Sequence, residues 1–97
     1  MVNLNECTGF QWDEYNTEKI WSKHKVTPTE CEQTFFNRPF ITAEDVKHSQ
    51  DELRYFALGQ ADTGRQLFLV FTIRTTLIRC ISVRDMSRKE RKVYEKS

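Results

Sequence analysis

Residues 65–84 read RQLFLVFTIRTTLIRCISVR, and the fold turns on this stretch. Successive side chains of a strand point to opposite faces. Across its first half, Leu67, Leu69, Phe71 and Ile73 share one side, an unbroken apolar set that must be core. Gln66, Phe68, Val70, Thr72 and Arg74 share the other side, half of it polar. Thr75-Thr76 reverses the chain into a second run, Leu77 to Arg84. Thr-Thr is poor chemistry for a two-residue hairpin, so a longer turn is an alternative. Strict alternation places Leu77, Arg79, Ile81 and Val83 on one side and Ile78, Cys80, Ser82 and Arg84 on the other. The second set is the more polar and can match Thr72 and Arg74, although sequence alone leaves the register open. That match gathers Arg74 and Arg84 on one groove-like face near strand ends. An arginine buried without a partner is costly, so both must reach solvent, a ligand or a carboxylate such as Glu44, Asp45, Asp51 or Glu52.

Upstream of this hairpin, Leu53 to Gly59 reads as a further strand, joined to it by a turn over Gln60 to Gly64. Phe40-Ile41-Thr42 reads as a brief strand, and the polar run AEDVKHSQDE, residues 43–52, as a loop. Thr27-Pro28-Thr29-Glu30 is a capping box with proline at the first helical position. The helix it opens runs to about Phe36, turns Cys31 and Phe35 inward, and stops at Asn37-Arg38-Pro39. Asp13 caps an earlier helix reaching about Lys25, with Tyr15, Ile20, Trp21 and His24 as its inward positions. Phe10-Gln11-Trp12 alternates as a short first strand. Downstream, Ser87-Arg88-Lys89-Glu90 is a second capping box, opening a basic helix to about Lys96. The order β-α-α-β-β-β-β-α predicts an α+β fold, two N-terminal helices and a C-terminal helix packed on an antiparallel sheet.

The chain has 97 residues, room for one domain over 1–97 with 1–9 as a short extension. Its longest wholly apolar run, Leu67 to Phe71, is too short to span a bilayer, and MVNLNECTGF lacks the pattern of a secretory signal. Cys7, Cys31 and Cys80 are odd in number and form no C-x-x-C pair, which predicts free thiols and a cytoplasmic setting. His24 and His48 do not fall at metal-ligand spacing with them, so neither metal nor cofactor is expected. The net charge of +1 conceals a split. Residues 1–52 carry five basic and ten acidic side chains, whereas residues 53–97 carry ten basic and four acidic. Seven of those ten are Arg54, Arg65, Arg74, Arg79, Arg84, Arg88 and Arg91. Arginine's planar fork binds phosphate bidentately and keeps its charge, so the second half is a footprint for a polyanion such as RNA or, more blandly, a solvated basic face.

Taken in order, the residues closely resemble the BrnT family, ribonuclease toxins of type II toxin–antitoxin systems with a RelE-like fold. The resemblance rests on Phe10-x-Trp12-Asp13 with Lys23-His24-x-Val26, on Glu52-x-Arg54 and Gly59, and on Gly64-Arg65-x-Leu67. It continues through Thr72-x-Arg74, Ile78-Arg79-x-Ile81-Ser82-x-Arg84 and Arg88-x-Glu90-Arg91-x-x-Tyr94, spanning residues 10–95. Three positions depart from the family pattern. Lys25 replaces a glycine, so a positive-φ turn is either lost or made by lysine at a cost. Asn16 stands where lysine is usual, and Ile20 where asparagine is usual.

The resemblance implies metal-independent RNA cleavage by attack of the 2′-hydroxyl on the adjacent phosphate. Arg54, Arg74 and Arg84 would bind phosphate, with Arg65 and Arg79 as further members of the RNA-binding set. His24 has a pKa suited to acid–base work if it faces the groove, and is otherwise an imidazole favoured at a helix C-terminus. Tyr94 is either a proton donor or core. Glu90 is either the capping partner of Ser87 or an arginine-paired base. Arg88, Lys89, Arg91 and Lys92 are placed to steer RNA. Phe68 or Tyr55 could stack on a base, with core as the plainer assignment. The family also implies a cognate BrnA-like antitoxin, two toxin and two antitoxin chains together, and operator DNA reached only through the antitoxin. Two alternatives remain at this point: an inactive member acting as an antitoxin-binding co-repressor, and a nucleic-acid-binding module without an antitoxin.

Overall fold

The computed structural model describes residues 4–48 and 52–97; residues 49–51, with Asp51 of the expected acidic loop, lie outside the described residues. The elements are β1 (Gly9–Phe10), α1 (Glu14–His24), α2 (Pro28–Thr34), β2 (Ile41–Glu44), β3 (Arg54–Gln60), β4 (Gln66–Arg74), β5 (Leu77–Asp85) and α3 (Arg88–Glu95). Their order is the expected one. The strands form one sheet in the order β1-β5-β4-β3-β2. β2 to β5 pair antiparallel, but β1 runs parallel to β5, with Gly9 opposite Leu77 and Phe10 opposite Ile78. The sheet is therefore mixed rather than antiparallel throughout. β1 is also shorter than the alternation at Phe10-Gln11-Trp12 suggested. Trp12 leaves the sheet edge and donates its indole N–H to Glu32 Oε2 at 2.8 Å, which swings the chain toward α1.

Both capping boxes form as expected, at Thr27/Glu30 and at Ser87/Glu90. Asp13 caps α1 by accepting the Asn16 N–H at 2.7 Å. The inward stripe of α1 differs from the apolar count. Tyr15 and Trp21 are exposed, and the buried pair is Asn16 and Ile20, spaced i, i+4. Asn16 goes inside because its Nδ2 donates to the Cys80 carbonyl at 2.8 Å, tying α1 to β5. Ala43 and Glu44, expected in a loop, extend β2 instead, where they pair with Phe56 and Tyr55.

The helices α1 and α2 cover one face of the sheet. There Ile20, Val26, Cys31 and Phe35 pack against Leu67, Leu69, Phe71, Ile78, Cys80 and Val83. Phe71 is the hub, with Phe35 edge-on at 5.1 Å and Tyr55 stacked at 5.3 Å between ring centroids. Strict alternation along β5 fails at one place. Val70 pairs with Ser82 but Phe71 pairs with Cys80, so Ile81 is an extra residue in the ladder. Ile78 and Cys80 before it and Val83 after it are all buried. Arg79 consequently lies on the same side as Arg84, not opposite it. Among the described residues no helix is long and apolar enough to cross a membrane.

Two turns hold non-glycine residues in the left-handed region. Lys25 ends α1 at φ 55°, ψ 43°, so the positive-φ turn is made by lysine rather than lost, and its N–H donates to the Trp21 carbonyl. Thr75, at φ 59°, makes the tight β4–β5 turn despite its branched Cβ. Thr75→Gly should raise the unfolding free energy by about 1 kcal/mol, since glycine suits the first central position of such hairpins. Lys25→Gly should gain less, because the ammonium 5.1 Å over the Trp21 ring is lost. Urea unfolding of both variants checks this; a loss of stability for Thr75→Gly would contradict it.

Candidate functional site

The face of the sheet turned away from α1 and α2 can be read row by row from the strand register. One row is Leu58, Phe68 and Arg84; the next is Phe56, Val70 and Ser82; the third is Arg54, Thr72 and Arg79. Arg74 follows one row on, opposite Leu77. Rows two residues apart stand about 6.6 Å from each other, so Arg84 lies about 13 Å from the Arg54–Arg79 row. Arg54, Arg74, Arg79 and Arg84 thus share one face, and the expected grouping of Arg74 with Arg84 holds. The two occupy opposite ends of it.

Each end has its own carboxylates. Arg84 grips Glu90 with both prongs, Nη1 to Oε1 at 2.8 Å and Nη2 to Oε2 at 2.9 Å, while its guanidinium sits 4.2 Å over the Phe68 ring. Glu90 belongs to the first turn of α3, so the capping box of that helix aims its carboxylate at the sheet. Its hydrogen bonds with Arg84 hold the Glu90 carboxyl below the usual range and raise the guanidinium in turn. At the other end Arg74 holds Glu52 through Nε at 3.2 Å and Nη2 at 3.1 Å. Arg79 Nη2 donates to Asp13 Oδ2 at 2.6 Å. The Arg74 hydrogen bond lowers the Glu52 carboxyl, with Arg54 and Arg79 adding to it through space. Asp13 is lowered by the Asn16 N–H first and by Arg79 second. At this end Arg74 and Arg79 are thus bonded to separate carboxylates, Glu52 and Asp13, with Arg54 near enough to act on Glu52, while Arg84 keeps Glu90. A fork that fits a carboxylate bidentately fits two phosphate oxygens in the same geometry.

Other candidates lie elsewhere. Arg65 is on the helical side, where Nη1 and Nη2 donate to the Lys25 and His24 carbonyls at 2.8 and 3.0 Å. It also bridges Asp85 at 2.8 Å and Glu30 at 3.2 Å. That is a clamp on the exit of α1, with every guanidinium nitrogen engaged. His24 is half-buried in the last turn of α1, close enough to Asp85 to lower its carboxyl, and is not brought to the arginine face. Tyr94 is buried and donates its hydroxyl to the Pro39 carbonyl at 2.6 Å; burial raises its pKa. Arg88, Lys89 and Arg91 are exposed on α3, the helix that flanks Arg84. The Cys80 thiol is pushed well up by its hydrogen bond with Cys31 and by burial, which removes it as a nucleophile. Residues that sequence reasoning passed over are Asp13, read only as a helix cap, and Phe56. The strand parity of Phe56 with Arg54 was the available signal.

Comparison with protein families matches residues 12–90 to the family described as ribonuclease toxin, BrnT, of type II toxin–antitoxin system. No curated protein matches the sequence.

The Arg65 clamp makes a prediction that is independent of activity. Asp85 is lowered chiefly by the Arg65 hydrogen bond. Glu30 is also lowered, since Thr27 and Arg65 together outweigh the upward push of its burial. Carboxyls depressed in the folded state bind protons more readily in the unfolded chain, so their contribution is complete above the ordinary carboxylate range, about 4, and fades as pH falls below it. Arg65→Ala should cost about 2 kcal/mol at neutral pH, from charge-assisted bonds to two helix-end carbonyls. Its stability should also fall less steeply than wild type between pH 5 and pH 3. Denaturant unfolding at several pH values tests both; equal acid slopes would remove the clamp.

Proposed function

The chain belongs to the BrnT family of ribonuclease toxins from type II toxin–antitoxin systems, and on that premise we propose that it is a metal-independent endoribonuclease whose arginine face holds the RNA phosphate. The observation that carries this reading is the convergence of Arg54, Arg74, Arg79 and Arg84 on the face that α1 and α2 leave open. In the reaction the 2′-oxygen forms a bond to the adjacent phosphorus, and the bond from phosphorus to the 5′-oxygen breaks. Negative charge grows on the non-bridging oxygens, and preorganised guanidinium groups stabilise it more in the transition state than in the ground state.

Arg84 is the primary phosphate ligand in this scheme. A phosphate that takes over its fork releases Glu90, whose carboxylate then loses the partner that holds its pKa down. Freed, Glu90 is the base that accepts the 2′-hydroxyl proton, and the departing 5′-oxygen is protonated from solvent. Arg54, Arg74 and Arg79 hold a neighbouring phosphate, and Arg88, Lys89 and Arg91 attract the strand electrostatically. This scheme assigns no step to His24 or Tyr94, a choice supported by the effect of the imidazole on Asp85 and by the hydrogen bond from the tyrosine hydroxyl to the Pro39 carbonyl. The family implies an antitoxin partner. A BrnA-like antitoxin in a complex of two toxins and two antitoxins, acting in the cytoplasm, would silence the enzyme by offering carboxylates to the same arginines.

Expression without antitoxin tests the reading. Wild type should arrest growth and degrade RNA, and the purified protein should keep cleaving RNA in EDTA. Arg84→Ala should lose about 10²-fold or more in cleavage rate while remaining soluble, the scale of losing one transition-state charge contact. Tyr94→Phe should cleave at close to the wild-type rate, with stability lowered by about 1 kcal/mol. A folded, soluble wild type that neither arrests growth nor cleaves RNA would favour the co-repressor alternative instead.

A further inference from the structure

The arginine face also carries carbon, and its placement is specific. Phe56 lies in the row between Arg84 and the Arg54–Arg79 row, and 37% of its surface stays exposed. Its ring centroid is 5.8 Å from that of Phe68, the ring beneath the Arg84 guanidinium. Beside the pair runs a groove of about 240 Å³, with Ile41, Phe56, Leu58 and Phe68 as its floor and Glu90 at its wall. The polar side chains of that groove are already engaged. Thr42 donates its hydroxyl to the Phe56 carbonyl at 2.8 Å, and both Glu90 oxygens accept from Arg84.

Projected on the strand direction, the rows of the face therefore run cation, ring, cation, about 6.6 Å apart, with Arg54 and Phe56 on β3 and Arg79 and Arg84 two strands away on β5. A polymer that repeats anion and flat ring at comparable steps is a single-stranded nucleic acid, and its unpaired bases are free to stack on an aromatic side chain. A purely apolar peptide would satisfy the groove but leave the flanking arginines without use. We propose that Phe56, with Phe68 beside it, is a base-stacking subsite between two phosphate-binding rows, so that the face accepts single-stranded RNA and excludes the duplex. Ring and methyl contacts discriminate little between bases when the neighbouring polar groups are already bonded. The stacked position therefore tolerates any base.

This subsite rests on the RNA-cleaving reading for its biological use, but it can be tested apart from cleavage. The probe is a fluorescent, uncleavable 2′-O-methyl hexanucleotide, single-stranded or annealed to its complement, titrated against the antitoxin-free protein by anisotropy. Wild type should bind the single strand more tightly than the duplex. Phe56→Leu, which keeps a carbon side chain over the groove, should weaken single-strand binding roughly tenfold or more, the loss of one stacked base. Phe56→Trp should retain it, and the introduced indole should be quenched by the strand. Changing the base at each position in turn should alter affinity little. Wild-type affinity in a folded Phe56→Leu variant, or equal binding of duplex and single strand, would overturn the proposal. So would a Phe56→Leu defect confined to antitoxin binding, which would mark the groove as a protein-docking site. Phe56-dependent binding without any RNA cleavage would leave the subsite standing and remove the nuclease reading; cleavage that ignores Phe56 would do the reverse.

Discussion

Arg79 and Arg84 are five residues apart in one strand, an odd separation that strict alternation sends to opposite faces. One of them would then point into the layer of Leu67, Leu69 and Phe71, where an unpaired guanidinium costs far more than a hydrogen bond returns. The extra residue at Ile81 removes the conflict. By pairing Val70 with Ser82 and Phe71 with Cys80, β5 keeps Ile78, Cys80 and Val83 in the core and sends both arginines outward. Bulges recur next to functional sites because one inserted residue re-aims a side chain without moving the rest of the sheet. The Asn16 amide, bonded to the Cys80 carbonyl beside the bulge, ties α1 to the strand at this point.

The charge split between the two halves of the chain becomes an arrangement in space. Asp13, Glu30 and Glu52 of the acidic half pair with Arg79, Arg65 and Arg74 of the basic half. Such pairs at a surface contribute little to stability. What the face pairs do instead is hold long, flexible arginines in one orientation, for Arg74 in the bidentate geometry that phosphate also takes. Under the proposed function, polyanion binding on this face is an exchange of one oxyanion for another, and its affinity is set by the difference between them. Arg65 is the exception in kind: its bonds to the carbonyls ending α1 make it part of the scaffold.

Much of this was legible before any coordinates. The capping boxes at Thr27 and Ser87 located two helix starts because side-chain oxygen at that spacing answers backbone N–H groups that the helix leaves open. The apolar set on β4 identified the core face because burial rewards an uninterrupted set on one side. The bulge was not legible, since Cys80, Ile81, Ser82 and Val83 are each acceptable on either face. The parallel pairing of β1 was hidden for a related reason: a two-residue strand carries almost no periodicity, and its direction follows from where α1 must pack. Asn16 was missed because a polar residue enters the core only when a specific carbonyl waits there, which sequence does not display.

The departures from the family pattern lie away from the arginine face. Ile20 is a member of the core, Asn16 bonds to β5, and Lys25 keeps the left-handed exit that a glycine would make. All three sit in the helical layer, which is separated from the arginine face by the sheet itself. The cost of a lysine at positive φ is met locally, because Arg65 bonds the carbonyls of both His24 and Lys25 and so secures the strained turn from outside. A change in this layer alters how firmly α1 is held, and reaches the arginines through β5 and through Asp13, the cap of α1 that pairs with Arg79. Substitution at the first helix and retention of the sheet arginines are therefore compatible: the two sets answer to different faces of one sheet.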